Sequence, residues 1–246
     1  MKILWLAPNF NHYKARFLNH LAEESDVELT ILSGTGRTEM GDQELEGNWS
    51  FAYRRLNVPK KEFGNSKHVK NELKLIFANF DWVLIPAEKK NLPLLLFAIK
   101  LRKANKAVRL FSYNHTQLKS KNSFYSLIDH KLTKFFYRNL DRIIFYTEES
   151  HSRAIQNRLV IPEKAFWANN TLDNTEIEKY YSFQLPPEEQ TILFIGRLIP
   201  SKRIKDVILY YKALKTKFQH LKLDIIGDGP EQSAVKNAIH KDVNIK

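Results

Sequence analysis

Two kinds of apolar pattern alternate along the chain. Residues 2–7 form a continuous apolar run of the length of a strand buried on both faces, and Pro8 and Asn9 break it. Tyr13, Phe17, Leu18 and Leu21 then recur at helical spacing, and residues 27–32 are a β-rich run closed by Ser33 and Gly34. Strand, helix and strand within so short a span make a βαβ unit, so the pattern predicts a parallel sheet. The alternation repeats: strands are expected at 82–85, 108–113, 142–146 and 165–168, and helices at 92–103, 123–140 and 148–157. Residues 34–72, rich in glycine, charge and turn formers, read as a long loop or irregular insertion.

A boundary follows. Asn169, Asn170, Asp173, Asn174, Pro186 and Pro187 interrupt any regular phase, so residues 1–170 are expected to form a first domain and 171–190 a linker. The βαβ pattern then restarts over 191–246. A strand at 191–195 and a turn at 196–202 precede Ile204, Val207, Ile208, Tyr211, Leu214 and Phe218, which trace one helical face. A strand at 221–226, a helix at 231–240 and the start of another strand at 243–245 complete the reading. The expected class is α/β with two parallel sheets, the second small and incomplete.

Composition narrows the classes. At 43% hydrophobic and 27% charged residues the chain is an ordinary globular protein, and zero cysteines exclude disulfides, thiolate zinc sites and iron–sulfur clusters. No signal-peptide pattern opens the chain. The most apolar stretch, 92–99, is interrupted by Pro93 and far shorter than the ~20 residues that cross a bilayer. The expected location is therefore cytoplasmic, or peripheral on the cytoplasmic face of a membrane. The net charge of +12 is concentrated early: 27 basic against 17 acidic residues up to position 170, and 12 against 10 beyond it. Residues 100–142, opening on Lys100 and closing on Arg142, carry 11 basic residues against Asp129 and Asp141, a candidate surface for phosphate-bearing partners.

The most informative chemistry lies in Phe194-Ile195-Gly196-Arg197-Leu198-Ile199-Pro200-Ser201-Lys202, where a strand ends and a helix begins. Parallel sheets bind ligands beyond such strand ends. Gly196 admits close backbone approach, Ser201 is expected to cap the helix, and the helix amino terminus offers N–H groups to an anion. Arg197 supplies a planar fork for phosphate oxygens and Lys202 a mobile point charge, so together they describe a diphosphate cradle that needs no metal. The plainer alternative is a pair of solvated charges beside a turn.

This segment, followed by an amphipathic helix and by Leu223-Asp224-Ile225-Ile226-Gly227-Asp228-Gly229-Pro230-Glu231, resembles the donor-binding domain of retaining glycosyltransferase family 4, whose GT-B architecture has two Rossmann-like domains. The resemblance implies that Gly196, Arg197 and Lys202 hold the diphosphate of a nucleotide-sugar such as a UDP- or GDP-sugar. The acceptor would be a hydroxyl of a glycan or lipid-linked acceptor, as in bacterial-type surface polysaccharide or glycolipid synthesis, with retention and without a metal or other cofactor. The family often has Gly after the Lys; Arg203 stands there, and a first-turn helical residue is not expected to need positive φ. Asn170-Thr171-Leu172-Asp173 falls where the family usually has Asn-Gly-Val-Asp, and Pro8-Asn9-Phe10-Asn11 replaces its frequent glycine pair. Residues 140–148 are similar to the strand and turn near the end of its acceptor domain.

His115, in Tyr113-Asn114-His115-Thr116 after a strand, matches a histidine that in many members contacts the donor sugar; the alternative is a surface histidine in a polar loop. The helix at 123–140 mixes Phe124, Leu127, Ile128, Leu132, Phe135 and Phe136 with Lys131, Lys134 and Arg138. It reads either as core-facing with a solvated back or as a docking element for an anionic membrane. Nucleic acid ranks well below sugar transfer, since no zinc-finger, helix-turn-helix or RNA-binding signature accompanies the charge. In the family the donor domain continues well past the Gly-Asp-Gly-Pro segment and contributes two glutamates to the donor site. Here only Asp242 is acidic after Glu231. The resemblance therefore leaves open a truncated chain, a split gene whose product is completed by a complementary polypeptide, or a non-catalytic remnant.

Overall fold

In the computed structural model the chain divides into two units, Met1–Glu176 and Ile177–Lys246. The structure describes residues 1–23, 26–35, 48–114, 126–169, 178–179, 190–239 and 245. Along the first unit run β1 (Lys2–Ala7), α1 (His12–Glu23), β2 (Glu28–Ser33), β3 (Ala52–Arg55), α2 (Lys67–Ile76) and β4 (Trp82–Leu84). They are followed by α3 (Leu92–Ala104), β5 (Arg109–Asn114), α4 (Ser126–Arg138), β6 (Arg142–Phe145), α5 (Glu148–Gln156) and β7 (Ala165–Trp167).

Every strand pairing in this unit is parallel, in the order β3-β2-β1-β4-β5-β6-β7. β1 is central because its side chains are apolar on both faces. Leu4 and Leu6 enter a core with Val69 and Leu73 of α2, Leu94 and Leu95 of α3, and Phe136 and Tyr137 of α4. Trp5 and Ala7 point the other way, to Ala15 and Leu18 of α1 and to Phe111. The sheet is thus covered on both faces, as parallel sheets require. Local chemistry sets the element ends: Ser66 Oγ accepts the Val69 N–H at the start of α2, and Thr147 Oγ1 accepts that of Ser150 at the start of α5. Asp141 ties three elements together, its Oδ2 accepting from the Leu110 amide at 2.7 Å and from Arg102 Nη1 at 3.0 Å.

The reading of 34–72 as a loop is corrected by β3 and the start of α2. β3 is an exposed edge strand carrying Arg54 and Arg55, so it has no apolar alternation to betray it. For α2 a signal was present: Ser66 followed by Val69, Leu73 and Ile76 at helical spacing.

The second unit contains β8 (Thr191–Ile195), a 3₁₀ turn (Pro200–Lys202), α6 (Ile204–Lys215), β9 (Lys222–Ile226) and α7 (Gln232–Ile239). β8 and β9 pair in parallel, from Thr191 opposite Lys222 to Ile195 opposite Ile226, and Leu223 bridges to Ile245 in the same sense. Ile204, Ile208 and Tyr211 of α6 pack on Leu223 and Val235, but Leu214 and Phe218 of the expected helical face are exposed. Leu193, Ile195 and Ile226, on the opposite face of the two strands, are exposed as well.

Candidate functional site

In the second unit, the loop after β8 and the loop after β9 are pressed together, and glycine makes this possible. A Cβ on Gly227 would lie 1.9 Å from the Gly196 carbonyl oxygen, and one on Gly229, where φ is +151°, would lie 2.5 Å from that of Leu198. At Gly196 itself a Cβ would meet nothing nearer than the Phe194 ring at 3.6 Å, so the close approach expected at Gly196 is made possible by the missing side chain of Gly227.

Backbone bonds lace the contact: Gly196 N–H donates to Ile226 O at 3.0 Å, Leu198 N–H to Asp228 O at 2.8 Å, and Glu231 N–H to Leu198 O at 3.0 Å. Asp228 Oδ1 accepts the Gly229 amide at 2.6 Å. Leu198 is buried as the anchor of the loop, while its neighbour Arg197 is exposed. The structure therefore carries Gly196, Arg197 and Lys202 on one short connection between the carboxyl end of β8 and the amino end of α6. Lys202, the last residue of the 3₁₀ turn, is exposed.

Two expectations are corrected at the start of α6. Ser201 does not cap it: it lies inside the 3₁₀ turn, and the residue at the cap is Arg203, with no side-chain capping bond. Arg203 is left-handed, φ 55° and ψ 37°, so this position does call for positive φ, and a glycine there would be relaxed. The reason is the tight 3₁₀ turn, whose Arg203 N–H closes on Pro200 O at 3.1 Å before the chain swings into the helix. The Arg203 guanidinium pairs with Asp206 at 2.5–2.6 Å, and Lys205 reaches Glu231 at 3.2 Å, joining the first turn of α6 to the loop after β9.

The first unit has a concave site of its own, a cavity of about 310 Å³ at the carboxyl ends of β1, β4 and β5. This is the switch point of the sheet, where β1 connects outward through β2 on one side and β4 lies on the other. Its floor includes Asn9, Tyr113 and Tyr146, and its charged groups are Lys14, Lys60 and Glu88. Tyr113 packs edge-on against Tyr146 at 4.2 Å and stacks with Phe17 at 6.3 Å. Burial, with help from Tyr146, pushes the Tyr113 hydroxyl up to about 12, and burial together with Glu88 raises Tyr146. For Glu88, burial pushes upward, but Lys90 at 2.9 Å and Lys60 at 3.6 Å outweigh it and hold the carboxyl below its ordinary value. Asn114, closing β5, donates to Ala87 O and to Tyr137 Oη, both at 3.1 Å.

Glu88, Lys60 and the tyrosine pair were not singled out by sequence. The available signal was the charged Glu88-Lys89-Lys90, separated by one residue from Pro86 at a strand end. In the first turn, Asn11 Oδ1 accepts the Lys14 amide at 3.2 Å, and Phe10 is buried against Phe51 and Tyr53. His115 and the segment 170–173 lie outside the described residues. The basic residues of 100–142 that are described are spread over several elements. Arg102 pairs with Asp141, Arg109 covers Trp82 and Arg142 covers Phe166.

Comparison with known proteins bears on the second unit. Residues 177–244 match the family of glycosyl transferases group 1. The glycine-laced loops and the Arg197–Lys202 connection lie inside the matched span. An uncharacterized glycosyltransferase of Methanocaldococcus jannaschii is 29% identical over 129 residues, which is 49% of this chain and 32% of that protein. The chain thus spans about a third of the length of this curated relative.

Among solved structures, the E. coli trehalose-6-phosphate protein bound with UDP-2-fluoro glucose is similar at a TM-score of 0.55 and 16% identity, over 97% of this chain and 68% of that one. Anabaena HepE in complex with UDP and glucose is similar at 0.57 and 14%, over 100% and 68%. A putative UDP-N-acetylglucosamine 2-epimerase from Listeria monocytogenes reaches 0.58 at 11%, over 99% and 67%. These likenesses establish the α/β fold of GT-B type, and the fold-class expectation is borne out. No helix among the described residues is long and apolar enough to cross a membrane.

Proposed function

We propose that the chain is the acceptor-side domain (1–170), linker (171–190) and donor-side portion (191–246) of a retaining family 4 glycosyltransferase. The observation that carries this reading is the coincidence of the group 1 match with the connection bearing Arg197 and Lys202 at the amino end of α6. The first-turn amides of α6 and these two cations would bind the donor diphosphate and stabilise the negative charge that grows on it as the glycosidic bond loosens. Those cations fill the role that a metal has elsewhere, and the reaction uses no further cofactor. UDP in two of the structural neighbours supports a nucleotide-sugar donor, and a UDP- or GDP-sugar is the substrate we assign.

His115 follows β5 directly and is assigned to the sugar side, where a hydrogen bond donor assists as charge develops. The cavity at the ends of β1, β4 and β5 is assigned to the acceptor, a glycan or lipid-linked hydroxyl in surface polysaccharide or glycolipid synthesis on the cytoplasmic side of a membrane. With the Glu88 carboxyl held ionised between two lysines, it accepts hydrogen bonds from sugar hydroxyls, while the Tyr113 and Tyr146 rings offer an aromatic wall.

A second reading is favoured by the exposed Leu193, Ile195 and Ile226: a complementary polypeptide segment covers this sheet face, and the chain contributes a donor-binding half to the pair. The test is a transfer assay with UDP- and GDP-sugars and a sugar acceptor, with the anomeric configuration of the product read by NMR. Product with the donor's configuration, absent in His115→Ala, is the expected result. Inverted product overturns the mechanism, and nucleoside diphosphate binding with no transfer favours the second reading.

A further inference from the structure

The structure bears on the two readings of the helix at 123–140, because α4 presents two different apolar faces. Phe136 and Tyr137 are buried in the core of the first unit, yet Leu127, Ile128 and Phe135 are 77%, 60% and 44% exposed. Lys131, Lys134 and Arg138 stand exposed among them, so steps of three or four residues place apolar and cationic groups on one outward stripe. This is the pattern of a helix lying in a membrane interface, with apolar side chains in the acyl boundary and cations at the headgroups.

The carboxyl half of α4 also borders a groove of about 550 Å³, walled by Ile155, Leu159, Val160, Ile161 and Pro162 and rimmed by Lys134, Arg138, Arg158 and Lys164. Ile161 is itself exposed. Arg158 is held at φ 53° just after α5, a position where glycine is favoured, so a cationic side chain occupies the rim despite the conformational cost. The acid of α4, Asp129, is turned inward and paired with Lys89, which leaves Glu163 as the acidic residue beside the rim among the described residues.

We infer that this stripe and groove form a docking surface for an anionic lipid bilayer, with an acyl chain or the upper acyl region taken by the groove and lipid phosphates by its rim. A second copy of the chain is the poorer occupant, because an isologous contact would set the cations of one stripe against those of the other. The inference stands apart from the sugar-transfer reading, since it uses none of its residues.

Flotation of the full chain with phosphatidylcholine vesicles, with and without phosphatidylglycerol, tests it. The chain is expected to float with anionic vesicles only, and less so as salt rises. Lys131→Gln, Lys134→Gln and Arg138→Gln are each expected to weaken binding about fivefold, and together roughly a hundredfold. Leu127→Glu with Ile128→Glu should weaken it by at least about tenfold with thermal stability unchanged, because both side chains are already exposed. Absence of binding to anionic vesicles, equal binding to neutral ones, or undiminished binding by the charge variants would overturn the inference. So would sedimentation showing a dimer that Leu127→Glu dissociates while vesicle binding is absent.

Discussion

Gly227→Ala is the most demanding perturbation of the second unit. The new methyl would sit 1.9 Å from the Gly196 carbonyl oxygen, where an ordinary contact needs at least 3.4 Å, so one backbone must yield by more than an ångström. Neither loop can move alone, because Gly196 and Leu198 donate to Ile226 O and Asp228 O on either side of the contact. Overpacking commonly costs about 1–3 kcal/mol, and a clash with backbone belongs at the upper end, roughly 3 kcal/mol. In a unit of this size about 4–8 °C of melting temperature is lost per kcal/mol, so calorimetry should show a fall of roughly 12 °C or more. Arg197, next to Gly196, would be displaced with the loop, and titration with UDP should show weakened binding even at temperatures where the variant is folded. Gly196→Ala is the control: its methyl would meet the Phe194 ring at ordinary contact distance, and stability should change by about 1 kcal/mol or less. Wild-type melting and UDP binding in Gly227→Ala would refute the reasoning.

Further outcomes follow from other contacts. Arg203→Gly relieves a left-handed conformation worth about 1–2 kcal/mol but adds chain entropy and loses an exposed pair with Asp206. Denaturant titration should therefore show a gain between zero and about 1 kcal/mol, and a clear loss would contradict the strain. Asp141→Ala removes the acceptor shared by the Leu110 amide and Arg102, and should cost about 2–3 kcal/mol in the same assay. The carboxyl of Glu88 is held below its unfolded value, so it contributes stability above the ordinary carboxylate range and loses it as pH falls through the depressed folded value. Glu88→Gln should flatten the acid limb of a stability–pH curve. Tyr113 titrates near 12 rather than 10, so its contribution is complete below pH 10 and lost as pH rises toward 12; Tyr113→Phe should remove that part of the alkaline loss.

The inner strands of the first unit were legible because they carry buried apolar residues: Leu4, Trp5, Leu6 and Ala7 of β1 lie in two cores at once. β3 was hidden because an edge strand with Arg54 and Arg55 has no apolar face to display. At the loops after β8 and β9, the residues Gly196, Arg197 and Lys202 were readable as chemistry, and Gly227 and Gly229 as part of a resemblance. What could not be read was which glycine bears the steric demand, since the approach of Gly227 to Gly196 joins segments about 30 residues apart. The left-handed Arg203 was misjudged for a related reason: a 3₁₀ turn ending one residue before α6 sets its φ, and propensity alone does not reveal that turn. The cavity of the first unit draws residues from separate strand ends and from the loop after β3, so Lys60, Glu88 and Tyr146 meet only once the sheet is ordered.

Titration of the chain with UDP and GDP tests the central claim most directly. Saturable heat with at least one of them is expected, weakened about 10- to 100-fold by Arg197→Ala and by Lys202→Ala, as befits the loss of a charge-assisted phosphate contact. Binding that both variants leave intact, or no binding to either nucleotide alongside tight, salt-sensitive binding to oligonucleotides, would contradict it.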